Sequence, residues 1–349
     1  MTILGFTNFG MREVDWLTDS ISNIAFNTTI KKNGRQSLHI GSDGLSTTSN
    51  YRVKADYLSA CYWFYLRIIT LPSSYCELSY EYNVSGSHAL RLYSDGKLGL
   101  WTNGSTVTMS TSALSLNTWY KISIVHTGTS GANTVTVYVD NTSFASRSLP
   151  RGWSYVRIGK TTATDGEYLI NSYVAATADD IGNYDFAVDD LAPTGAGTYS
   201  NYTGGYADVD EYPDDGATSY IESPLVIGQA ETFITSGVVS WSTIYGYCVE
   251  CNIASRSNLS GASFRLRTRY NGSNYDTDAT ALSGTSYVLR FNSVVGLSVR
   301  KNFFEPVEFG VVEASATASR NHRVSNCLLS VLSLNLPSAA KIGPLLQVM

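Results

Sequence analysis

The chain has 349 residues and a net charge of −5, with 15% charged and 43% hydrophobic residues. That length holds two compact cores rather than one, and so little charge, against a usual ~25%, leaves the polar surface to Ser, Thr, Asn, Gly and Tyr. The acidic balance argues against general nucleic-acid binding, which needs a basic face.

The start, "MTILGFTNFG", lacks the basic stretch and apolar run of a signal peptide. No segment reaches the ~20 apolar residues of a membrane-spanning helix, since the longest runs are broken by Arg67 and by alternating serines. The expectation is a chain made in the cytosol, without membrane insertion. Five cysteines, Cys61, Cys76, Cys248, Cys251 and Cys327, are too few and odd in number for a disulfide framework. They read as buried thiols packing as small apolar groups. Cys248 and Cys251 have metal-ligand spacing, but no second pair exists, and on a strand the two thiols would face opposite ways.

In chain order, "MREVDWLTDSISNIAF" suggests a short helical turn. Strands follow at "SLHI", "ACYWFYLRIITL", "CELSYEYNV", "HALRLYSDGKLGLWTNGSTVTM", "WYKISIVHTGTSGANTVTVYVDN" and "WSYVRIGK". The fifth of these shows the logic. Tyr120, Ile122 and Ile124 alternate with Lys121 and Ser123, and Val135, Val137 and Val139 alternate with Thr134, Thr136 and Tyr138. Period two predicts strands with one face on a core and the other in water. Asp95-Gly96, Asn103-Gly104 and Asp140-Asn141 sit between such runs as hairpin turns. Residues 1–189 therefore read as one β-sandwich.

Residues 190–206, rich in Gly, Pro, Thr and Tyr, read as a linker. A second sandwich is expected over 207–336, from "IYGYCVECNIASRS", "ASFRLRTRYNGSNYDTD", "SYVLRFNSV", "EPVEFGVVEAS" and "HRVSNCLLSVLSLN". Asn271-Gly272 predicts another hairpin. Residues 337–349 read as an extended C-terminal arm. The fold class is all-β, with two β-sandwich domains.

Three groups of side chains stand out in the second half. Tyr199, Tyr202, Tyr206 and Tyr212 lie in or beside a Gly-rich stretch where a core role is hard to argue, and suit either glycan contact or subunit packing. Arg265, Arg267 and Arg269 share one strand face opposite Phe264, Leu266 and Tyr270. That face is either solvated or a basic stripe that docks the acidic linker of a neighbouring copy in assembly. No nucleophile elbow and no phosphate-cradling loop is present. The four histidines, His39, His88, His126 and His322, are spread along strands and read as packed or surface residues.

"YSDGKLGLW", then "LNTWYKISIVHTG" with "NTVTVYVDN", and "YVRIGK" resemble the laminin-G-like, concanavalin-A-like sandwich, in which a Trp opens one strand and the next ends in a "YVD" turn. "DVDEYPDDGATSYIES", "IYGYCVECNIASRS" and "FRLRTRYNGSNYDTD" resemble the second part of tailed-bacteriophage structural proteins, where a jelly-roll-like β domain follows. The resemblance implies a virion-surface protein made in the host bacterial cytoplasm, a homo-oligomer (a trimer) whose partners are the major capsid or tail proteins. Capsid decoration or a head fibre is the first expectation. The alternative is a tail-tip or tail-fibre adhesin binding host-surface polysaccharide through the laminin-G-like domain.

The resemblance also bears on chemistry. Concanavalin-A-like glycanases place Glu, Asp and Glu at alternate positions of one strand as nucleophile and acid. The nearest match, Glu13-Val14-Asp15-Trp16-Leu17, lacks the second Glu, so the expectation is that the chain is not an enzyme. Laminin-G-like folds often hold calcium, which takes six to eight oxygens. Asp179, Asp180, Asp185 and Asp189, with Asp190 beside them, are the candidates; the alternative is acidic surface that aids solubility. A second acidic group is Asp208, Asp210, Glu211, Asp214 and Asp215. No other cofactor is expected.

Overall fold

A computed structural model describes residues 3–335, apart from 8–23, 33–36, 42–48, 161–164, 177–184, 211–217, 237–242, 257–261, 302–306, 316–320 and further gaps of one to three residues. The chain divides into two compact units, Met1–Asn183 and Tyr184–Met349. Each contains two antiparallel sheets, in accord with the all-β, two-sandwich expectation. Among the described residues the one helical element is a single 3-10 turn, Tyr206–Asp208. No helix there is long and apolar enough to cross a membrane.

The first unit runs β1 (Ile3–Thr7), β2 (Ile24–Asn27), β3 (Ser37–Ile40), β4 (Ser49–Tyr57), β5 (Cys61–Thr70), β6 (Tyr75–Asn83), β7 (Gly86–Tyr93), β8 (Leu98–Thr102), β9 (Thr106–Met109), β10 (Trp119–Thr129), β11 (Ala132–Val139), β12 (Thr142–Leu149), β13 (Trp153–Lys160) and β14 (Glu167–Ala176). One sheet has the order β12-β11-β10-β5-β14-β3-β2, with β1 also on β14; the other is β4-β13-β6-β7-β8-β9. The predicted hairpin turns shape both. Asp140 and Asn141 have φ of 46° and 68° between β11 and β12, and Gly96 has φ 79° between β7 and β8. These are left-handed conformations that Asn, Asp and Gly tolerate best and that match the twist of paired strands. Asn103-Gly104 lies outside the described residues, as does most of the expected helical turn, whose last part is strand β2 instead.

One expectation about faces fails. Lys121 and Ser123 on β10 are as buried as Ile122 and Ile124. The reason is the neighbour β5, which sets Trp63 opposite Ser123 and Tyr65 opposite Lys121, both rings buried. Large aromatics beside small polar residues close that face over, and the Lys121 Nζ reaches Asn141 Oδ1 at 3.0 Å.

The second unit runs β15 (Asp185–Leu191), β16 (Gly195–Ser200), β17 (Ile221–Glu222), β18 (Ala230–Ile234), β19 (Thr243–Ser255), β20 (Ala262–Tyr270), β21 (Ser273–Asp276), β22 (Thr280–Leu282), β23 (Val288–Phe291), β24 (Val295–Lys301), β25 (Glu308–Glu313) and β26 (His322–Asn335). Its sheets are β15-β26-β19-β23, with β17 on β26 and β24 on β19, and β16-β18-β25-β20-β21, with β22 on β20. Phe233, Phe264, Phe309, Val249, Val311, Leu329 and Val331 form part of the core of this unit.

This corrects the expected domain plan. Residues 185–189 belong to the second unit, because β15 pairs with β26 from Asp185↔Asn335 to Leu191↔Leu329. The stretch 190–206 is not a linker: it completes β15, forms β16, and pairs with β18 at Gly195↔Ile234 and Ser200↔Glu231. Small residues there serve close packing. A Cβ on Gly197 would stand 2.5 Å from Thr232 Oγ1 and 2.7 Å from Glu308 Oε2. The expected arm, 337–349, lies outside the described residues. All five cysteines are buried thiols. Cys251 packs in the core of the second unit, directly opposite Cys327 on β26, while Cys248 points to the other face.

Candidate functional site

The strand β20 alternates as its sequence predicts, with Phe264, Leu266 and Tyr270 in the core and the three arginines on the opposite face. The hairpin returns through Gly272, whose φ is 76°, and its register sets Arg267 opposite Asp276 and Arg269 opposite Asn274. Arg267 donates from Nε to Asp276 Oδ1 and from Nη2 to Oδ2, both at 2.7 Å. Such a planar, two-point pair is among the stronger polar contacts. Arg269 reaches Glu308 Oε1 at 3.5 Å. Glu308 also accepts from the Thr198 amide at 2.7 Å, the Thr198 hydroxyl at 2.6 Å and Thr232 Oγ1 at 2.9 Å. Burial pushes its carboxyl up, but these hydrogen bonds and the Arg269 charge hold it below the usual range.

Through Thr198 the end of β16 is clamped to this face, and the next residue is Tyr199. Its ring lies 5.0 Å from the Arg267 guanidinium and 6.0 Å from that of Arg269, within the reach of cation–π attraction. Asn274 Nδ2 donates to the Tyr199 hydroxyl at 3.0 Å, leaving the phenol's own proton to be donated outward. That bond, followed by the two guanidinium groups, holds the phenol below its usual range. The result is a half-buried aromatic ring fixed beside an amide and a carboxylate, with Arg265 exposed on the same strand. The stripe is therefore not three cations awaiting a neighbouring copy, since Arg267 and Arg269 are engaged within their own chain. The turn register would have revealed the Arg267–Asp276 pair from sequence.

The other tyrosines divide. Tyr206 is exposed, and Tyr212 lies outside the described residues. Tyr202 is a core residue, overturning the surface reading: its hydroxyl meets His322 Nε2 at 3.0 Å, and His322 Nδ1 faces Glu313 Oε2 at 3.3 Å. Ser223 Oγ donates to that same oxygen at 2.5 Å. Burial pushes the Tyr202 phenol well up, so it stays a neutral donor. This buried chain ties residues 202, 223, 313 and 322 together and explains why the Gly-rich stretch is ordered.

Among the described residues, the calcium candidates Asp185 and Asp189 stand apart. Asp185 is exposed at the start of β15 and Asp189 is buried four residues on, about 13 Å away at strand rise. Asp190 points to the opposite face and accepts from Ser330 Oγ at 2.8 Å. Asp179 and Asp180 lie outside the described residues, as do Glu211, Asp214, Asp215 and the Glu13–Leu17 match. Asp208 Oδ2 accepts from the Gly205 amide at 2.8 Å, closing the 3-10 turn.

Sequence reasoning missed a convergence in the first unit. The β6–β7 register sets Glu81 opposite His88, and β10 of the other sheet brings in His126. All three are buried. Both Nε2 atoms face Glu81 Oε2, that of His126 at 2.9 Å and that of His88 closer. The imidazole rings are 5.5 Å apart, and Tyr62 donates to the remaining oxygen, Glu81 Oε1. Burial alone would push the Glu81 carboxyl up, but His88 and His126 outweigh it and hold it well below the usual range. Period two shows which face each histidine takes, and nothing local shows that the two faces meet.

No protein-family model and no curated protein matches the chain. Solved structures similar to it include a Trypanosoma rangeli sialidase (14% identity, 47% of this chain, 27% of that one, TM-score 0.36). Others are the cellulose-induced protein Cip1 (11%, 50% and 91%, TM-score 0.37) and domain 4 of AbnA, a GH43 arabinanase from Geobacillus stearothermophilus (15%, 50% and 84%, TM-score 0.36). The chain thus spans about a quarter of the sialidase chain. The expectation that the chain is no enzyme is withdrawn, because chains of a sialidase and an arabinanase are among the structures it matches.

Proposed function

We propose that this chain is a glycan-recognising β-sandwich protein carried on the exterior of a tailed-bacteriophage particle, with the Tyr199 face of the second unit as the sugar-contact surface. The observation that supports glycan recognition is the fixed, half-buried Tyr199 ring held by Asn274 beside Arg267, which carries Asp276, with Arg265 exposed on the same strand. Sugars are bound by an aromatic face against their C–H groups and by amide, carboxylate and guanidinium groups against their hydroxyls. The virion setting rests on the sequence resemblance described above, and host-surface polysaccharide is the ligand class it implies. The proposed face differs from the laminin-G-like domain expected to carry binding.

Calorimetric titration of the full chain with bacterial surface oligosaccharides tests this. Tyr199→Ala is expected to weaken binding at least about tenfold, the loss of one good aromatic contact, and Tyr199→Phe to retain most of it. No binding by the native chain, or equal binding by Tyr199→Ala, would overturn the reading.

A second reading, self-association or capsid docking as a decoration protein, is favoured by one observation. Val226 and Ile227 are 55% and 64% exposed at the tip of a turn closed by the Gln229 amide on the Val226 carbonyl at 3.3 Å. Two adjacent apolar side chains at a loop tip suit insertion into a partner. Val226→Asp with Ile227→Asp is expected to lower the oligomeric state in light scattering while leaving the circular dichroism spectrum unchanged; an unaltered state sinks this reading.

A further inference from the structure

We propose that Glu81, His88 and His126 form a binding site for one divalent transition-metal ion, Zn2+ by its ligand chemistry, inside the first unit. The inference is independent of the glycan reading, which concerns the other unit. Three features of the cluster carry it.

The first is convergence. Each residue offers one ligand atom, and the three atoms lie within 4.8 Å of one another, every one of them buried. Zinc bonds of ~2.0–2.1 Å in tetrahedral array place ligand atoms roughly 3.3 Å apart. The 2.9 Å between His126 Nε2 and Glu81 Oε2 opens to that by a few tenths of an ångström, and the His88 side opens further by rotation of its ring.

The second is donor type. Two imidazole nitrogens and one carboxylate oxygen suit zinc and its first-row neighbours, whereas calcium and magnesium demand an oxygen cage. Both Nε2 atoms are turned inward onto Glu81 Oε2, so a bound metal would displace the protons these nitrogens direct at the carboxylate and leave each ring its proton on Nδ1, the tautomer a metal ligand needs.

The third is the surrounding shell. Tyr62 donates to Glu81 Oε1, orienting the carboxylate so that Oε2 alone faces the histidines, as outer hydrogen bonds do for metal-binding carboxylates. Tyr173 brings a second phenol, its ring 6.1 Å from that of Tyr62. Its hydroxyl is buried with no hydrogen-bond partner among the described residues. A buried hydroxyl left unbonded costs stability. Beside a metal it becomes a fourth oxygen or the partner of a metal-bound water.

The experiment uses the full chain, stripped with EDTA and returned to chelator-free buffer, then titrated with Zn2+ by calorimetry and with Co2+ by visible absorption. The expected result is one equivalent of either ion, the visible bands of a four-coordinate cobalt site, and a higher Tm for the first unit. His126→Gln should abolish uptake, while His39→Gln, at the separate His39–Glu167 pair, should leave it intact. Should His126→Gln fail to fold, the native chain decides alone: a folded protein that takes up neither ion at tenfold excess overturns the proposal. So does uptake that survives His126→Gln but is lost in His39→Gln, which would place the ion on the surface.

Discussion

Replacing Gly310 with alanine is expected to destabilise the second unit by about 3 kcal/mol or more, the upper end of what overpacking costs. Gly310 sits in β25, opposite Arg267 on β20 and Thr232 on β18. A Cβ there would stand 2.1 Å from the Glu231 carbonyl oxygen and 3.0 Å from both the Glu231 carbonyl carbon and the Thr232 Cα. All of these are backbone atoms of a paired strand, so no flexible side chain can swing away. The strand pair must separate, and with it the Thr232–Glu308–Thr198 clamp that holds Tyr199 in place. Gly205→Ala is the control: its Cβ would meet nothing within 4 Å, and its φ of −150° is ordinary extended backbone. Urea unfolding followed by tyrosine fluorescence should show a lowered midpoint for the first variant and none for the second. Equal midpoints would show that the strands can part at little cost.

The second large effect concerns pH. Glu250 on β19, Ser330 on β26 and Asp190 on β15 meet in a buried row, with Ser330 Oγ 2.5 Å from Glu250 Oε1 and 2.8 Å from Asp190 Oδ1. A serine hydroxyl has one proton and cannot donate to two carboxylates at once. One carboxyl must therefore hold a proton of its own. Burial, aided by the Asp190 charge, pushes Glu250 up to about 8 from an ordinary 4.5, which assigns the proton to Glu250. In the unfolded chain the same group ionises near 4.5, so between pH 4.5 and 8 the folded state binds the extra proton. Its contribution is fully present below pH 4.5 and is lost as pH rises through 8. Native stability should fall across that window by roughly 3–5 kcal/mol, and Glu250→Gln, which cannot ionise, should flatten the decline and be the more stable form at pH 9. A native profile that stays level from pH 5 to 9 would contradict the assignment.

These effects mark where sequence stops being informative. The hairpins at Gly96, Asp140-Asn141 and Gly272 were legible because a tight turn is decided by the φ preferences of its own Gly, Asn and Asp residues. The alternation in β20 was legible because side chains of a strand must take opposite faces. Together those two rules set Arg267 against Asp276, so even part of the candidate site was written locally. What remained hidden depends on pairing between segments far apart in the chain. Residues 190–206 look like a linker by composition, and only β18 and β26, 30 to 140 residues later, make them strands. Tyr202 looks like a surface ring until His322 arrives beside it.

The sequence by itself thus determined the strand class, the turns and the alternation of faces, since each follows from the conformational preferences of a few neighbouring residues. Tertiary structure decided which faces meet. It buried Lys121 behind aromatic neighbours, fixed Tyr199 over two paired arginines, and drew Glu81, His88 and His126 from two sheets to one point. Period two says which way a side chain points, whereas the partner it meets is set by the packing of whole sheets against each other.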